Sequence, residues 1–258
     1  KADNPFRLRA GIIYALDDSC TQCGNVYMSR DELLKAAMKL LSLGEESIIS
    51  KEIDYLVDNM SLVSDEGFFY SPRLYNAEVR VATKLMKLLH APTKEIKVSD
   101  SLGKSKGITY DDVQMDAIRT AMKSKVMVLT GGPGTGKTTT TKGIISAWED
   151  AGLEILLAAP TGRAAKRLSE ATGMDASTIH RMLGYIRGVF TKNANDPLEG
   201  DALIIDESSM IDIELMSYLI DAIPEKMRLV LVGDVDQLPS AGPGNVLRDI
   251  IESGVVPV

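Results

Sequence analysis

Gly131, Gly136, Lys137 and Thr138 stand at the spacing G-x-x-x-x-G-K-[ST], directly after an apolar run, Val126 to Thr130, and at the start of a helical pattern. Glycines let backbone N–H groups turn inward with no Cβ in the way, and the first turn of a helix presents the positive end of its dipole. A lysine placed there reaches the β and γ phosphates of a nucleoside triphosphate, and a threonine hydroxyl there ligates Mg²⁺. The stretch therefore predicts an ATP–Mg²⁺ cradle formed by Gly132, Pro133, Gly134, Thr135, Gly136, Lys137, Thr138 and Thr139.

Two further segments carry groups that such a site needs. ALIIDESSM sets Asp206 and Glu207 at the tip of a buried strand, where Asp206 fits the carboxylate of the Mg²⁺ shell, partly through water, and Glu207 fits the base that deprotonates the attacking water. Acids also gather at helix starts for dipole reasons, so the pair gains its meaning from the phosphate loop. RLVLVGDVDQLPSAGPG places Asp234 and Gln237 after another strand. An amide there can sense the γ phosphate, although a polar turn rich in glycine and proline explains the same residues.

Three more segments are ambiguous by themselves. APTGRAAKRLSE carries Arg163, Lys166 and Arg167 at helical spacings, with Thr161 and Gly162 before them; this is either a solvated face or a contact to a phosphate chain. STIHRML, with His180, reads equally as an ordinary capped helix. Upstream, Thr109 and Asp112 have capping-box spacing, and Gln114 in the first turn is either an adenine reader or a solvent-facing glutamine.

Positioning these groups requires alternating strands and helices. Apolar runs at 126–130, 155–159, 202–206 and 228–232 alternate with helical patterns at 136–151, 162–172 and 212–222. That order predicts an α/β fold with a parallel sheet covered on both faces, its chemistry collected beyond the carboxyl ends of the strands. Before residue 93 the pattern is different. Amphipathic helices at 31–43 and from Ser50, a short hairpin at 62–70 and a helix at 76–90 predict a small, mostly helical, winged-helix-like accessory domain. The expected domains are 1–92 and 107–258, joined by a polar linker at 93–106.

With 258 residues and 45% hydrophobic composition, the chain has ample material for a core. No apolar run approaches the roughly 18 residues of a membrane span, and the first ten residues lack a secretory segment. Together with only two cysteines, this places the expected compartment in the cytoplasm and predicts no membrane partner. Cys20 and Cys23 have half the ligands of a closed zinc site and read as incidental thiols. A net charge of −7 excludes nucleic-acid binding by a globally positive field, so any such contact must be local.

Taken in order, Gln114, GGPGTGKT, APTGRAAKRLSE, STIHRML, IIDESSM and VGDVDQLPSAGPG resemble the successive motifs of a superfamily 1 helicase, closest to the RecD-like helicases. The resemblance implies a RecA-like P-loop NTPase domain truncated after the third motif. It implies an ATP site at Lys137, Thr138, Asp206, Glu207 and Gln237, with single-stranded DNA along Thr161, Gly162, Arg163 and His180. It further implies 5′-to-3′ translocation, duplex unwinding, and nuclease or helicase subunits as partners of a longer protein. Motifs of a second RecA-like domain, with its arginines, do not occur before Val258, so these residues are expected to bind ATP–Mg²⁺ and hydrolyse it poorly. The alternatives are a nucleotide-dependent single-stranded DNA-binding module and the helicase portion of a plasmid relaxase.

Overall fold

The computed structural model describes residues 4–104, 107–237 and 239–258. Ser105 and Lys106, at the end of the expected linker, and Leu238, in the stretch after the last strand, lie outside the described residues, as do residues 1–3. The chain divides into two compact units. One comprises Lys1–Arg80, Asp212–Glu214 and Ser240–Asn245; the other comprises Val81–Ile211, Leu215–Pro239 and Val246–Val258.

The first unit opens with α1 (Pro5–Cys23), which the periodicity reading above does not include. Asn4 caps it by accepting from the Phe6 N–H, Pro5 occupies the first turn, and Leu8, Ile12, Ala15, Leu16 and Cys20 form its buried stripe. Then follow β1 (Met28–Ser29), α2 (Arg30–Leu41), α3 (Glu46–Asp58), β2 (Val63–Asp65), β3 (Phe68–Tyr70) and the start of α4 (Pro72–His90), a helix that runs on past Arg80 into the second unit. The strands pair antiparallel in the order β1-β3-β2, which with the helix order gives the winged-helix-like arrangement. A reciprocal capping box between Ser29 and Glu32 fixes the start of α2. Helix α4 begins four residues ahead of the expected Asn76, because Pro72 suits a first turn and the Ser71 hydroxyl accepts from the Leu74 N–H. In helix-turn-helix domains the second helix is the one that enters DNA. Here that helix, α3, and its cap expose Glu45, Glu46, Asp54 and Asp58 beside a single exposed Lys51, with Asp54 paired to Arg30 at 2.7 Å, an excess of acid that does not favour phosphate.

The second unit contains α5 (Asp112–Lys123), β4 (Val126–Thr130), α6 (Lys137–Asp150), β5 (Ile155–Ala159), α7 (Gly162–Thr172), β6 (Ala176–Thr178), α8 (Ile179–Met182), β7 (Tyr185–Ile186), β8 (Val189–Phe190), β9 (Ala202–Ile205), α9 (Ile213–Ala222), β10 (Arg228–Gly233) and α10 (Val246–Glu252). Its parallel sheet has the order β4-β10-β9-β5-β6 among the described residues. Val230 lies level with Met127 on one side and Ile204 on the other. Every residue of β9 and β10 is buried, as strands covered on both faces require. Gly143 lets α5 approach α6, since a Cβ there would stand 2.4 Å from Ile118 Cδ1. The stretch from Lys94 to Leu102 is tied to the sheet. Ile96 N–H donates to the Met122 carbonyl, Ile96, Val98 and Leu102 pack on the core, and buried Arg228 donates to the carbonyls of Met122, Ser124 and Lys94.

Candidate functional site

Each strand of the parallel sheet ends in one of the segments singled out by sequence. After β4 comes the glycine loop. Lys137 Nζ donates to the carbonyls of Gly131 (2.5 Å) and Gly132 (2.8 Å), and the Thr135 hydroxyl donates to the Gly132 carbonyl (2.8 Å), which folds the loop on itself. Gly136 has φ +87°, and a Cβ there would meet Gln114 Nε2 at 2.4 Å. A loop that excludes side chains and aims backbone at the start of α6 fits a polyphosphate. The Thr138 hydroxyl has no partner among the described residues, while Thr140 and Thr141 donate back to the helix carbonyls of Gly136 and Lys137.

After β9, Asp206 accepts from the Glu207 N–H at 2.9 Å. Burial pushes the Asp206 carboxyl above its usual range, against the opposing pull of that N–H and of the Lys137 and Arg167 charges. Glu207 adopts a left-handed backbone, φ 53° and ψ 39°, and caps the 3₁₀ turn Ser208–Met210. After β10, buried Asp234 accepts from the Gln237 side-chain amide (3.2 Å) and from the Asp236 N–H (3.0 Å), holding the glutamine in place.

Lys137, Thr138, Asp206, Glu207 and Gln237 line one cleft of about 630 Å³, together with Pro133 and Gly134. Gly132, Thr135, Gly136 and Thr139 shape the loop or its helix without lining that cleft, and Gln114 touches the loop from α5. The helix cap differs from the expected Thr109–Asp112 pair. Asp111 is the N-cap, accepting from the Gln114 N–H at 2.8 Å, while Gln114 Oε1 accepts from the Asp111 N–H at 3.1 Å. Gln114 therefore has its acceptor engaged and its Nε2 turned toward Gly136.

A raised carboxyl pKa carries a stability consequence. The folded chain holds the Asp206 proton more tightly than the unfolded chain does, so stability falls as pH rises from the usual carboxylate value through the raised one. Asp206→Asn should raise the melting temperature of the ligand-free protein at pH 7, and the advantage should shrink as pH falls toward the ordinary carboxylate value of about 3.9 and be absent below it. Thermal melts of both proteins across pH check it; a lower melting temperature for the variant at pH 7 would contradict the assignment of cause.

Thr161, Gly162, Arg163 and His180 lie outside the cleft, although α7, the helix after β5, lines it with Ala164, Arg167 and Leu168. Thr161 caps α7, its hydroxyl accepting from the Ala164 N–H at 3.2 Å, and Gly162 and Arg163 are exposed beside it. His180 is exposed and sits within an aromatic group that sequence reading missed. Its ring centroid lies 5.2 Å from Tyr185 and 5.5 Å from Phe190, and Phe190 lies 4.5 Å from Tyr218. The available signal was GYIRGVF, two apolar pairs each preceded by a glycine, which forms the β7–β8 hairpin. At the other end of the chain, Cys20 belongs to the buried stripe of α1, and burial pushes its thiol up to about 11. Among the described residues no group of three or more potential ligands could hold a metal ion by protein side chains alone.

A family model described as an AAA domain matches residues 114–243. The ATP-dependent RecD2 DNA helicase of Deinococcus radiodurans is 36% identical over 94% of this chain and 36% of its own length. The RecBCD enzyme subunit RecD of Mycolicibacterium smegmatis is 40% identical over 54% of this chain and 30% of its own, and that of Mycobacterium tuberculosis is 36% identical over 73% and 36%. The chain thus spans about a third of the length of the curated relatives it matches. On these matches, which cover the glycine loop, the acidic strand tip and the glutamine turn, the chain belongs to the RecD-like superfamily 1 helicases.

Proposed function

We propose that this chain is the ATP-binding motor segment of a DNA helicase that couples ATP hydrolysis to 5′-to-3′ movement on single-stranded DNA and to duplex unwinding. The observation that carries the reading is the convergence of Lys137, Thr138, Asp206, Glu207 and Gln237 on one cleft from three strand ends. In this reading Lys137 leaves the carbonyls of Gly131 and Gly132 for the β and γ phosphates, and Glu207 takes the proton of the attacking water. Thr138 and Asp206 would hold Mg²⁺, which supplies charge neutralisation at the phosphates. Gln237, held by Asp234, reports on the γ phosphate, and Gln114 stands beside the loop where the base would lie.

Thr161, Gly162, Arg163 and His180 would follow the single strand, with the rings near His180 offering faces on which bases stack. The acidic surface of α3 favours a packing or protein-docking role for the winged-helix-like region before residue 93 over a DNA-reading one. Nuclease or helicase subunits are the partners we expect for a longer protein, and the cytoplasm its compartment; no described helix is long and apolar enough to cross a membrane. These 258 residues alone should bind ATP–Mg²⁺ and turn it over slowly, because family resemblance assigns further transition-state arginines to a second RecA-like domain.

Lys137→Ala tests the reading. Removing a charged donor to two phosphates should weaken ATP–Mg²⁺ binding by about 30-fold or more, since such bonds are worth about 1.5–3 kcal/mol each. Isothermal titration of both proteins measures it, and unchanged affinity in the variant would end the proposal.

A further inference from the structure

Arg167 does not share the position of Arg163. Along α7, Ala164, Arg167, Leu168 and Ala171 follow the i, i+3, i+4, i+7 pattern of one helix face, and all four line the cleft that holds Lys137, Asp206 and Glu207, joined by Glu170 and Thr172 at the end of the helix. Arg163 and Lys166 lie off that face and outside the lining, and Lys166 approaches Glu170 at 3.8 Å. The Arg167 guanidinium has no hydrogen-bond or ion-pair partner among the described residues, yet its charge acts on the Asp206 carboxyl. A flexible cation with five donors, uncommitted and facing a loop shaped for phosphates, is placed for an anion that enters that cleft.

We infer that Arg167 is a γ-phosphate contact supplied by α7 from within this chain, and that the basic row of this helix is divided between two ligands, Arg167 serving the nucleotide. This rests on the nucleotide reading of the cleft proposed above. An arginine suits the task because its planar fork can take two oxygens of one phosphoryl group. Its contact depends on the third phosphate, so it favours triphosphate over diphosphate, adding to the sensing expected of Gln237.

The test uses Arg167→Ala, Arg167→Lys, Lys166→Ala and Lys137→Ala in the 258-residue protein, with circular dichroism to verify the fold. Titrations with ATPγS–Mg²⁺ and ADP–Mg²⁺ give nucleotide affinity, and fluorescence anisotropy of a labelled oligothymidine gives single-strand affinity and its salt slope. The expected result for Arg167→Ala is about tenfold weaker ATPγS binding, less than about threefold change for ADP, and an unchanged oligonucleotide affinity and salt slope. Arg167→Lys should recover the affinity in part, and Lys166→Ala should leave nucleotide binding unaltered. Loss of oligonucleotide affinity with ATPγS unaffected would overturn the inference, as would an equal loss for both nucleotides or no loss for either. The two readings fail separately. If Lys137→Ala abolishes ATPγS binding and Arg167→Ala does not weaken it, only the Arg167 assignment falls; if Lys137→Ala binds normally, the nucleotide site itself is refuted, and this inference with it.

Discussion

Glu207→Gln should lower ATP turnover by about 10²–10⁴-fold, the usual contribution of a positioned general base, while leaving ATP–Mg²⁺ affinity within about threefold. The substitution keeps the shape and the hydrogen-bonding reach of the side chain and removes only its capacity to accept a proton. Geometry favours the role. Glu207 is a non-glycine residue in the left-handed region, a conformation that costs roughly 1–2 kcal/mol, and the turn holds it there: its N–H donates to Asp206 and its carbonyl accepts from the Met210 N–H at 3.1 Å. In that conformation Glu207, the second residue after β9, lines the cleft beside Asp206. Single-turnover phosphate release with and without oligothymidine, alongside titration calorimetry, gives both quantities. Equal turnover in the two proteins would remove Glu207 from the chemistry, and a large fall in affinity would make it a binding group instead.

The gathering of these residues at one cleft was legible in the sequence because it depends on local spacing. A phosphate loop must place its lysine one residue after its last glycine, and a buried parallel strand must read as an apolar run; VMVLT, ALII and RLVLVG each do so, and each forms the strand expected. What escaped was set by contacts made across the chain. Ala176–Thr178 is three residues long and half-buried at the sheet edge beside β5, with no apolar run to announce it. The α1 stripe was hidden by the polar residues that share its other faces. The stretch from Lys94 to Leu102 is polar in composition, yet Arg228, 134 residues beyond Lys94, pins it by donating to the Lys94 carbonyl as well as to carbonyls at the end of α5. Basic residues in APTGRAAKRLSE formed a single group while only their charge was considered. Counting which of them fall in register with Ala164, Leu168 and Ala171 separates Arg167 from the others, and that register was present in the sequence.

Trp148→Ala should cost about 3–5 kcal/mol of folding stability, the range for removing a fully buried large aromatic. Trp148, the chain's one tryptophan, is 0% exposed on α6 and packs in the cluster that includes Ile118, Met122, Ile144 and Met127. Its indole N–H is buried without a hydrogen-bond partner among the described residues, an arrangement that itself costs about 1–3 kcal/mol. Trp148→Phe removes that orphan donor along with some contact area, so its net effect should be much smaller than that of alanine. Urea unfolding followed by circular dichroism compares the three proteins; equal losses for Phe and Ala would show that the indole edge, rather than buried volume, supports the core. The position also separates packing from ligand binding. Lys137 lies eleven residues earlier on the same helix, about 16 Å along its axis at about 1.5 Å per residue. If α6 behaves as a rigid rod, folded Trp148→Ala keeps its nucleotide affinity, and ATP–Mg²⁺ at about 100 times its dissociation constant restores about 2.7 kcal/mol by linkage. A variant that unfolds readily alone and is rescued to that extent by ATP–Mg²⁺ places Trp148 beneath the site as a support. Failure of rescue would mean that the packing at one end of α6 sets the shape of the phosphate loop at the other.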